Sequence, residues 1–221
     1  SIMERAFPAN EQMQMMRRGV IKVEGKRDRL TIMEIDRPGV FVRVAGALSL
    51  CGLDVLEAVA HTEYGMVLAV FRVAPSTTRE IDWDSVCVFV QDSVRGRIAI
   101  AARLSERMRT YSMQLEQKYP DRVVGTDVKI DNETSSTATV IEVSAPNGMG
   151  LLYQITRALS SLDLSILSAK VQTLGADVVD SFYVLDNEGK KINDIAHANE
   201  VKEALKHAIE TSTVMAKERN D

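Results

Sequence analysis

The sequence is poor in aromatic residues and has no large excess of charge of either sign. Aromatic residues make up 5% of the 221-residue chain, which provides no extended surface on which nucleic-acid bases could stack. The 27 basic and 31 acidic residues give a formal net charge of -4. Nucleic acid and anionic membranes are therefore not expected partners.

Cysteines and long apolar runs are also scarce. Cys51 and Cys87 each lie in a helical apolar pattern, which favours buried, reduced thiols over a disulfide or a metal site. No run of about 18 apolar residues occurs, and the N-terminus has no signal-peptide pattern. These features predict a soluble, cytoplasmic protein. Because the chain starts at Ser1 with no convincing opening segment, we interpret it as a piece of a longer protein.

What the sequence does contain is an internal repeat. Adding 111 to a position superposes the two copies without a gap, so that Gly39 meets Gly150 and Phe71 meets Phe182. The correspondence extends through both copies and is too long to arise by chance. Repeats of this length, each the size of a small domain, predict two similar units.

Each copy has the pattern strand, helix, strand, hairpin strand, and then a second helix. Apolar residues recur at helical spacing in 40–51 and again in 151–162. The second helix is predicted at 83–118 in the first copy, with Gly96 as the break, and at 198–210 in the second. The pattern predicts an α+β fold of two ferredoxin-like βαββαβ units, with antiparallel sheets and helices on one face.

The two copies differ in their last strand. Val123 to Ile130 is predicted to close the first unit, whereas the second unit ends on its helix. We hypothesise that the early run Val20 to Val23 fills the vacant position in the second sheet, so that deleting residues 1–25 would destabilise the second unit. The predicted boundaries are 1–18 for a helical linker from an upstream domain, 19–131 and 137–211 for the two units, and 212–221 for a tail.

The strand that follows each first helix alternates between apolar and polar residues, which predicts one buried and one exposed face. The exposed face is expected to meet solvent or a second copy of the chain. The predicted core face carries Leu56, Ala58, Ala60 and Thr62, with Leu167, Ala169, Val171 and Thr173 in the second copy; the predicted polar face carries Val55, Glu57, Val59 and His61, with Ile166, Ser168, Lys170 and Gln172.

The turn between the first strand and first helix is the main candidate for ligand binding. It reads Asp36-Arg37-Pro38-Gly39 in the first copy. A helix start exposes unpaired N–H groups and a partial positive charge, so it can hold a carboxylate without a basic side chain. Pro38 suits a first helical turn, and Gly39 allows a close approach of ligand. The alternative is a plain strand-to-helix turn with no ligand.

The corresponding turn of the second copy, Asn147-Gly148-Met149-Gly150, lacks the arginine and the proline. We therefore expect two unequal sites, or one site and one structural turn, with the first copy as the better site. The ligand's amino group is expected near the start of the next strand of the paired copy. The predicted ligand-binding residues are Asp36, Arg37, Pro38, Gly39, Val40, Phe41, Leu53, Asp54, Val55, Asn147, Gly148, Met149, Gly150, Leu151, Leu164, Ser165 and Ile166.

Other candidate sites are weaker. His61 and Glu57 share a strand face but lack further metal ligands. Asp177 and Asp180 form a carboxylate pair that no positioned acid, base or nucleophile accompanies. The segment 186–189 is a turn that lacks the ligand count of a calcium loop. The sequence therefore predicts no catalytic residue and no metal site.

Both copies resemble ACT domains, which sense small molecules in amino-acid and nitrogen metabolism. The first resembles the first ACT domain of the bifunctional PII uridylyltransferase/uridylyl-removing enzymes, and the second resembles their C-terminal ACT domain. The long helical insert is similar to that of actinobacterial members, for which the modifying group is either adenylyl or uridylyl. The motifs that carry the resemblance are 35–41, 44–48 and 52–56 in the first copy, and 151–153, 155–159, 168–171, 173–175, 178–180 and 182–184 in the second.

The resemblance implies a regulatory module that binds glutamine. That family's catalytic motifs are absent here: no Gly-Ser turn precedes paired aspartates, and no histidine is followed by aspartate. It implies Mg²⁺ and a nucleoside triphosphate as cofactors of the parent enzyme only, PII as a partner through that parent, and a homodimer as a further option. The alternatives are an ACT-type sensor of another amino-acid enzyme, a free-standing sensor, and a structural dimerisation module without a ligand.

Overall fold

The computed structural model describes residues 7–118, 125–174 and 177–218. Within them the chain forms one eight-stranded sheet and the helices that pack against it. The helices are α1 (Asn10–Arg17), α2 (Val40–Leu50), α3 (Trp83–Val94), α4 (Ile100–Lys118), α5 (Leu151–Ser161) and α6 (Ile195–Glu218). The strands are β1 (Lys22–Lys26), β2 (Arg29–Ile35), β3 (Leu53–Glu63), β4 (Met66–Pro75), β5 (Asp127–Asp131), β6 (Thr139–Pro146), β7 (Ser165–Leu174) and β8 (Asp177–Leu185).

The strand order is β1-β2-β4-β3-β7-β8-β6-β5, and every neighbouring pair is antiparallel. Four strands belong to each unit, and β3 and β7 join the two units at the centre. The α+β class and the antiparallel sheet are confirmed. Gly96, at φ 74°, separates α3 from α4 as predicted, whereas α6 extends well past the predicted end at residue 210.

The predicted closing strands are wrong. β5 pairs with β6 of the second unit rather than with the first unit, and β1 pairs with β2, Lys22 lying opposite Met33. Each unit therefore runs β-β-α-β-β-α within the described residues. A two-residue turn joins β1 to β2, so their pairing closes a far shorter loop than pairing with the second unit would. Deleting residues 1–25 would thus remove an edge strand from the first unit, not the second. Residues 123 and 124 lie outside the described residues.

The join between the units has pseudo-twofold symmetry. Ala58 of β3 lies opposite Ala169 of β7, flanked by the pairs Glu57–Lys170 and Val59–Ser168. Ala58 and Ala169 are also equivalent in the repeat, since 169 − 58 = 111. The symmetry axis therefore passes between them, and each helix start of one unit is related to the corresponding helix start of the other.

A β-bulge interrupts both central strands at the same repeat position. The register shifts between Val55 and Glu57 in β3, and between Ile166 and Ser168 in β7. Because a bulge inserts one extra residue, Val55 and Ile166 pack into the helix-side core instead of the polar face predicted by strict alternation. Val59 is also buried, on the opposite face of the sheet.

Helix α1 covers part of the face that was predicted to be polar. Met16 is fully buried on this face with Met33, Met66 and Leu68. The helix starts with Ala9 rather than Asn10 as its N-cap, and the Ala9 N–H donates to Oε1 of Gln12 at 2.9 Å. Helices α2 to α6 contribute to the core on the other face. None of the helices within the described residues is long and apolar enough to cross a membrane.

The first edge strand is held by Trp83 at the start of α3. The indole Nε1–H donates to the Arg27 carbonyl at 2.9 Å, and a Cβ added at Gly25 would lie 2.1 Å from Cδ2 of the indole ring. We expect Gly25→Ala to lower the free energy of unfolding by about 1–2 kcal/mol, because the ring must move. Urea denaturation measures the loss. In a Trp83→Leu background the same alanine is expected to cost far less, and an equal cost would contradict the proposed clash.

Candidate functional site

The two strand-to-helix turns share one backbone geometry. Gly39 and Gly150 are the N-caps of α2 and α5, in left-handed conformations with φ of 87° and 76°. Neither helix has a side-chain cap or an acidic residue in its first turn. The backbone N–H of Leu151 donates to the Gly148 carbonyl at 3.3 Å. The N–H groups that follow it in the first turn are the donors that a helix start leaves unpaired.

Pro38 does not occupy the position predicted for it. Because α2 begins at Val40 with Gly39 as the N-cap, the proline lies before the cap and not in the first helical turn. Asp36, Arg37 and Pro38 are exposed, and Arg37 pairs with the buried carboxylate of Glu34 at 3.5 Å. The first turn therefore lies open at the surface.

The second turn is enclosed. Asn147, Gly148 and Met149 are half-buried and Gly150 is buried. Helix α4 of the first unit packs against it, since a Cβ added at Gly150 would lie 3.0 Å from the Met108 sulfur. The long helical insert of the first unit thus covers the helix start of the second.

A cavity of about 390 Å³ lies between the two units at this turn. The second turn and the start of β3 both line it, so Asp54 and Gly148 face the same cavity. Its lining comprises Ala45, Ser49, Leu53, Asp54, Val55, Leu56, Ser76, Asn147, Gly148, Met149, Gly150, Leu151, Leu152, Val171, Val178 and Asp180. The structure therefore brings together the predicted residues 53–55 and 147–151.

The remaining predicted residues lie outside this cavity's lining. Val40 and Leu164 are buried in the core, Ile166 packs against that core, and the Phe41 ring contacts the Phe71 ring with centroids 4.9 Å apart. Ser165 is the first residue of β7. The pseudo-twofold axis relates the cavity to a second position, formed by residues 36–41 and 164–167.

Asp180 is a cavity residue that the sequence analysis considered only as part of a weak carboxylate pair with Asp177 and left out of the predicted ligand-binding residues. It is 2% exposed, lines the cavity, and its Oδ1 has no hydrogen-bond partner. Burial raises its pKa to about 7. The available signal was its position in the alternation of Val178, Phe182 and Val184, where a core-facing apolar residue is expected. Asp177, with which it was paired, is exposed.

Asp54 is the second carboxylate of the cavity. Burial raises its pKa, while a hydrogen bond with the Ser76 side chain acts in the opposite direction. Among the described residues of the lining, Asp54 and Asp180 are the charged ones, and none of these residues is a lysine, arginine or histidine. The cavity therefore offers backbone N–H donors from the helix start and carboxylate acceptors from two strands.

The other candidates have ordinary structural roles. His61 Nε2 lies 2.8 Å from a carboxylate oxygen of Glu63, not of Glu57, and the buried Glu57 pairs with Arg72 at 3.3 Å. In the described part of the chain, no three His, Cys, Asp or Glu residues are arranged to hold a metal ion. Cys51 and Cys87 are unpaired, and burial raises the pKa of both thiols.

Comparison with known proteins assigns the second unit. The family described as ACR9-like, ACT-like domain matches residues 127–219. The match starts at the first residue of β5, in agreement with the pairing of β5 and β6. The second unit is an ACT-like domain. The first unit has the same order of strands and helices as this ACT-like domain, apart from the additional helix α4.

The chain that carries the ACT-like domain is also similar to bacterial proteins named bifunctional uridylyltransferase/uridylyl-removing enzyme. It is 36% identical over 183 residues to that of Rhodospirillum rubrum, covering 82% of this chain and 19% of the relative. Identity is 32% over 187 residues for Cereibacter sphaeroides, covering 83% and 20%, and 34% over 187 residues for Azospirillum brasilense, covering 81% and 20%. The chain thus spans about a fifth of the length of these relatives.

Proposed function

We propose that this chain is the glutamine-sensing regulatory part of a PII-modifying uridylyltransferase/uridylyl-removing enzyme, with two ACT-like domains in tandem. The similarity to uridylyltransferase/uridylyl-removing enzymes and the match of residues 127–219 to an ACT-like domain support this proposal. Nucleotidyl transfer, hydrolysis, Mg²⁺, the nucleoside triphosphate and contact with PII would then belong to the rest of the parent enzyme. The chain itself would supply the amino-acid sensor.

The observation that carries the proposal is the cavity between the units. Its helix start supplies N–H donors of the kind that hold an α-carboxylate, and the absence of a side chain at Gly150 lets Met108 of α4 pack against this helix start. Residues of both units line the cavity. A bound amino acid would therefore contact the start of β3 and the start of α5 at once.

The charges of the lining favour glutamine over glutamate. Because the part of the lining that the structure describes has two carboxylates and no basic side chain, a ligand that brings a second carboxylate gains no partner for it there and meets like charge. A carboxamide is neutral and can donate hydrogen bonds to Asp54 or Ser76. We expect glutamine to bind at least about tenfold more tightly than glutamate, a difference of about 1.4 kcal/mol.

Regulation then follows from differential binding. Glutamine shifts the enzyme only if it binds the demodifying conformation better than the transferring one. Because the cavity spans the unit boundary, the ligand favours whichever arrangement of the units closes it. Strand β3 pairs with β4, on which α1 packs, so we propose that α1 carries this preference toward the preceding part of the parent enzyme.

Gly148→Val tests the location of the site. Gly148 lines the cavity, has an ordinary φ, and an added Cβ would meet no atom closer than the Pro146 carbonyl at 4.0 Å. The larger side chain is therefore expected to fill the cavity without disturbing the fold. Titration calorimetry with glutamine should show binding by the unaltered chain and at least about tenfold weaker binding by the variant.

Gly125→Val is the matched control, since Gly125 is exposed, has an ordinary φ and has no atom within 4 Å of an added Cβ. It should bind glutamine like the unaltered chain. Equal affinity of the Gly148 variant would move the site away from this cavity, for example to the first turn. No binding by the unaltered chain at millimolar glutamine would instead favour another amino acid or the structural dimerisation alternative.

A further inference from the structure

We propose that the Asp180 carboxylate receives the ligand's α-ammonium group and makes the cavity selective for α-amino acids over carboxylic acids that lack the amine. This inference rests on the proposed function, because it assigns a role within the same cavity. Asp180 would act as a specificity-determining residue. The proposed partner is a cation, which the described residues of the lining do not provide.

The unpaired state of Asp180 is the first argument. The other buried polar side chains have partners: Glu34 accepts from the Ile35 N–H, Glu57 pairs with Arg72, Ser93 donates to Arg43, and Thr139 and Thr156 also form hydrogen bonds. Among the described residues, Oδ1 of Asp180 is the one buried side-chain atom without a partner. Since an unsatisfied buried acceptor is costly, a ligand donor that completes it is strongly favoured.

The repeat provides a second, independent argument. Asp180 corresponds to Ala69, since 180 − 69 = 111, and Ala69 is 1% exposed at the equivalent position of β4. An alanine therefore satisfies the packing of this fold at that site. Packing alone does not require a carboxylate on β8. The aspartate takes the place of the alanine in the unit whose helix start lines the cavity between the units.

The position of the side chain fits an amino-acid ligand. Asp180 lies opposite Val143 of β6 and Val171 of β7, on the same face as the buried Val178 and Phe182. It shares the cavity with Gly150 and Leu151 at the start of α5. One ligand thus meets N–H donors at the helix start and a carboxylate from the sheet, which matches the two charges of a zwitterion.

The surrounding groups set the pH dependence. Among the described lining residues, β3 contributes the titratable Asp54, whereas those of α2, α5, β7 and the turn before α5 contribute no titratable side chain. Burial keeps the pKa of Asp180 near 7 in the free protein. Binding an ammonium requires the ionised form, so a proton is released at or below neutral pH. Affinity should therefore rise between pH 6 and 8, with a limiting slope of about tenfold per pH unit below the pKa.

Asp180→Asn is the test, with the exposed Asp127→Asn as matched control. Both variants and the unaltered chain are titrated with L-glutamine and with N-acetyl-L-glutamine, which lacks the ammonium, at pH 6, 7 and 8. We expect the unaltered chain and the control to bind glutamine, to prefer it to the acetylated compound, and to gain affinity with pH. The Asp180 variant should bind glutamine at least about thirtyfold more weakly and lose most of the pH dependence and of the preference.

Thermal unfolding shows that the variant is folded. The pKa of Asp180 is near 7 in the folded chain and 3.8 in the reference state. Between about pH 4 and 7 the folded state therefore keeps the Asp180 proton, whereas the unfolded state releases it. The stability that this proton contributes is fully present below about pH 4 and is lost as the pH rises to about 7. Asparagine cannot titrate, so the variant should melt higher than the unaltered chain at pH 8.

The outcomes separate the two proposals. Glutamine binding by the unaltered chain, with unchanged affinity and pH dependence in a folded Asp180→Asn variant, would overturn the role of Asp180 and leave the sensor function standing. Absence of glutamine binding by the unaltered chain would overturn the sensor function itself. Equal binding of N-acetyl-L-glutamine and glutamine would also overturn recognition of the ammonium.

Discussion

Truncating Phe182 to alanine is expected to lower the free energy of unfolding by roughly 4 kcal/mol, because it leaves a large cavity in the core. The side chain is fully buried, and the residue lies opposite Ile141 of β6 and Ala169 of β7. Urea denaturation followed by circular dichroism measures the loss. A loss below about 1 kcal/mol would contradict the complete burial of this ring in the core.

Phe71→Ala is the matched variant in the first unit, since Phe71 is the repeat equivalent of Phe182 and is also fully buried. One sheet and one hydrophobic core run through both units. Both units should therefore unfold in one cooperative transition, and each variant should lower the midpoint of that transition. Two separated transitions, with only one shifted in each variant, would show that the units unfold independently.

Gly46→Ala is expected to destabilise the chain by about 2 kcal/mol, although alanine normally stabilises a helix interior relative to glycine. Gly46 lies in α2, where α2 packs against α4 and α5. A Cβ at this position would lie 2.4 Å from Cγ2 of Ile100 and 2.9 Å from Cδ2 of the Tyr153 ring. Because a β-branched side chain on a helix has little rotational freedom, the helices must separate.

Relief of the clash provides the control for this prediction. In an Ile100→Ala background, which removes the nearer of the two atoms, adding Gly46→Ala should cost at least about 1 kcal/mol less than it does alone. Thermal and urea unfolding of the four proteins of this cycle give the coupling energy. Strict additivity, or a stabilisation by Gly46→Ala alone, would mean that the helices do not approach closely at Gly46.

Local patterns in the sequence predict much of this fold. The break at Gly96 is set by the chain within a few residues, and the apolar stripes of α2 and α5 follow the helical period. The repeat offset also relates the two central strands, and Ala58 and Ala169 meet at the symmetry axis. These features depend on the local backbone conformation, which the spacing of residue types along the chain predicts directly.

The errors concern interactions between distant parts of the chain. Nothing in the spacing of residues 123–130 shows that β5 pairs with β6, and the bulges at Val55 and Ile166 reverse the expected face without a local signal. Whether a turn is enclosed depends on α4, whose Met108 packs at Gly150. The sequence favoured the first turn as the ligand site because of its arginine and proline, and this preference stays a prediction; the cavity between the units lies at the second turn. Asp180 was set aside because no positioned acid, base or nucleophile accompanies it in the sequence, and its burial in the cavity depends on residues that are distant in the chain.

The central claim is that an amino acid binds between the units at the start of α5. The most direct test is to titrate the ¹⁵N-labelled chain with L-glutamine and to monitor the chemical shifts of the backbone amides by NMR. The claim predicts saturable shifts that are largest at Leu152 and Tyr153, with smaller shifts at 53–55 and at Asp180. The absence of shifts at these amides, or saturation at a distant surface with 151–153 unchanged, would contradict it.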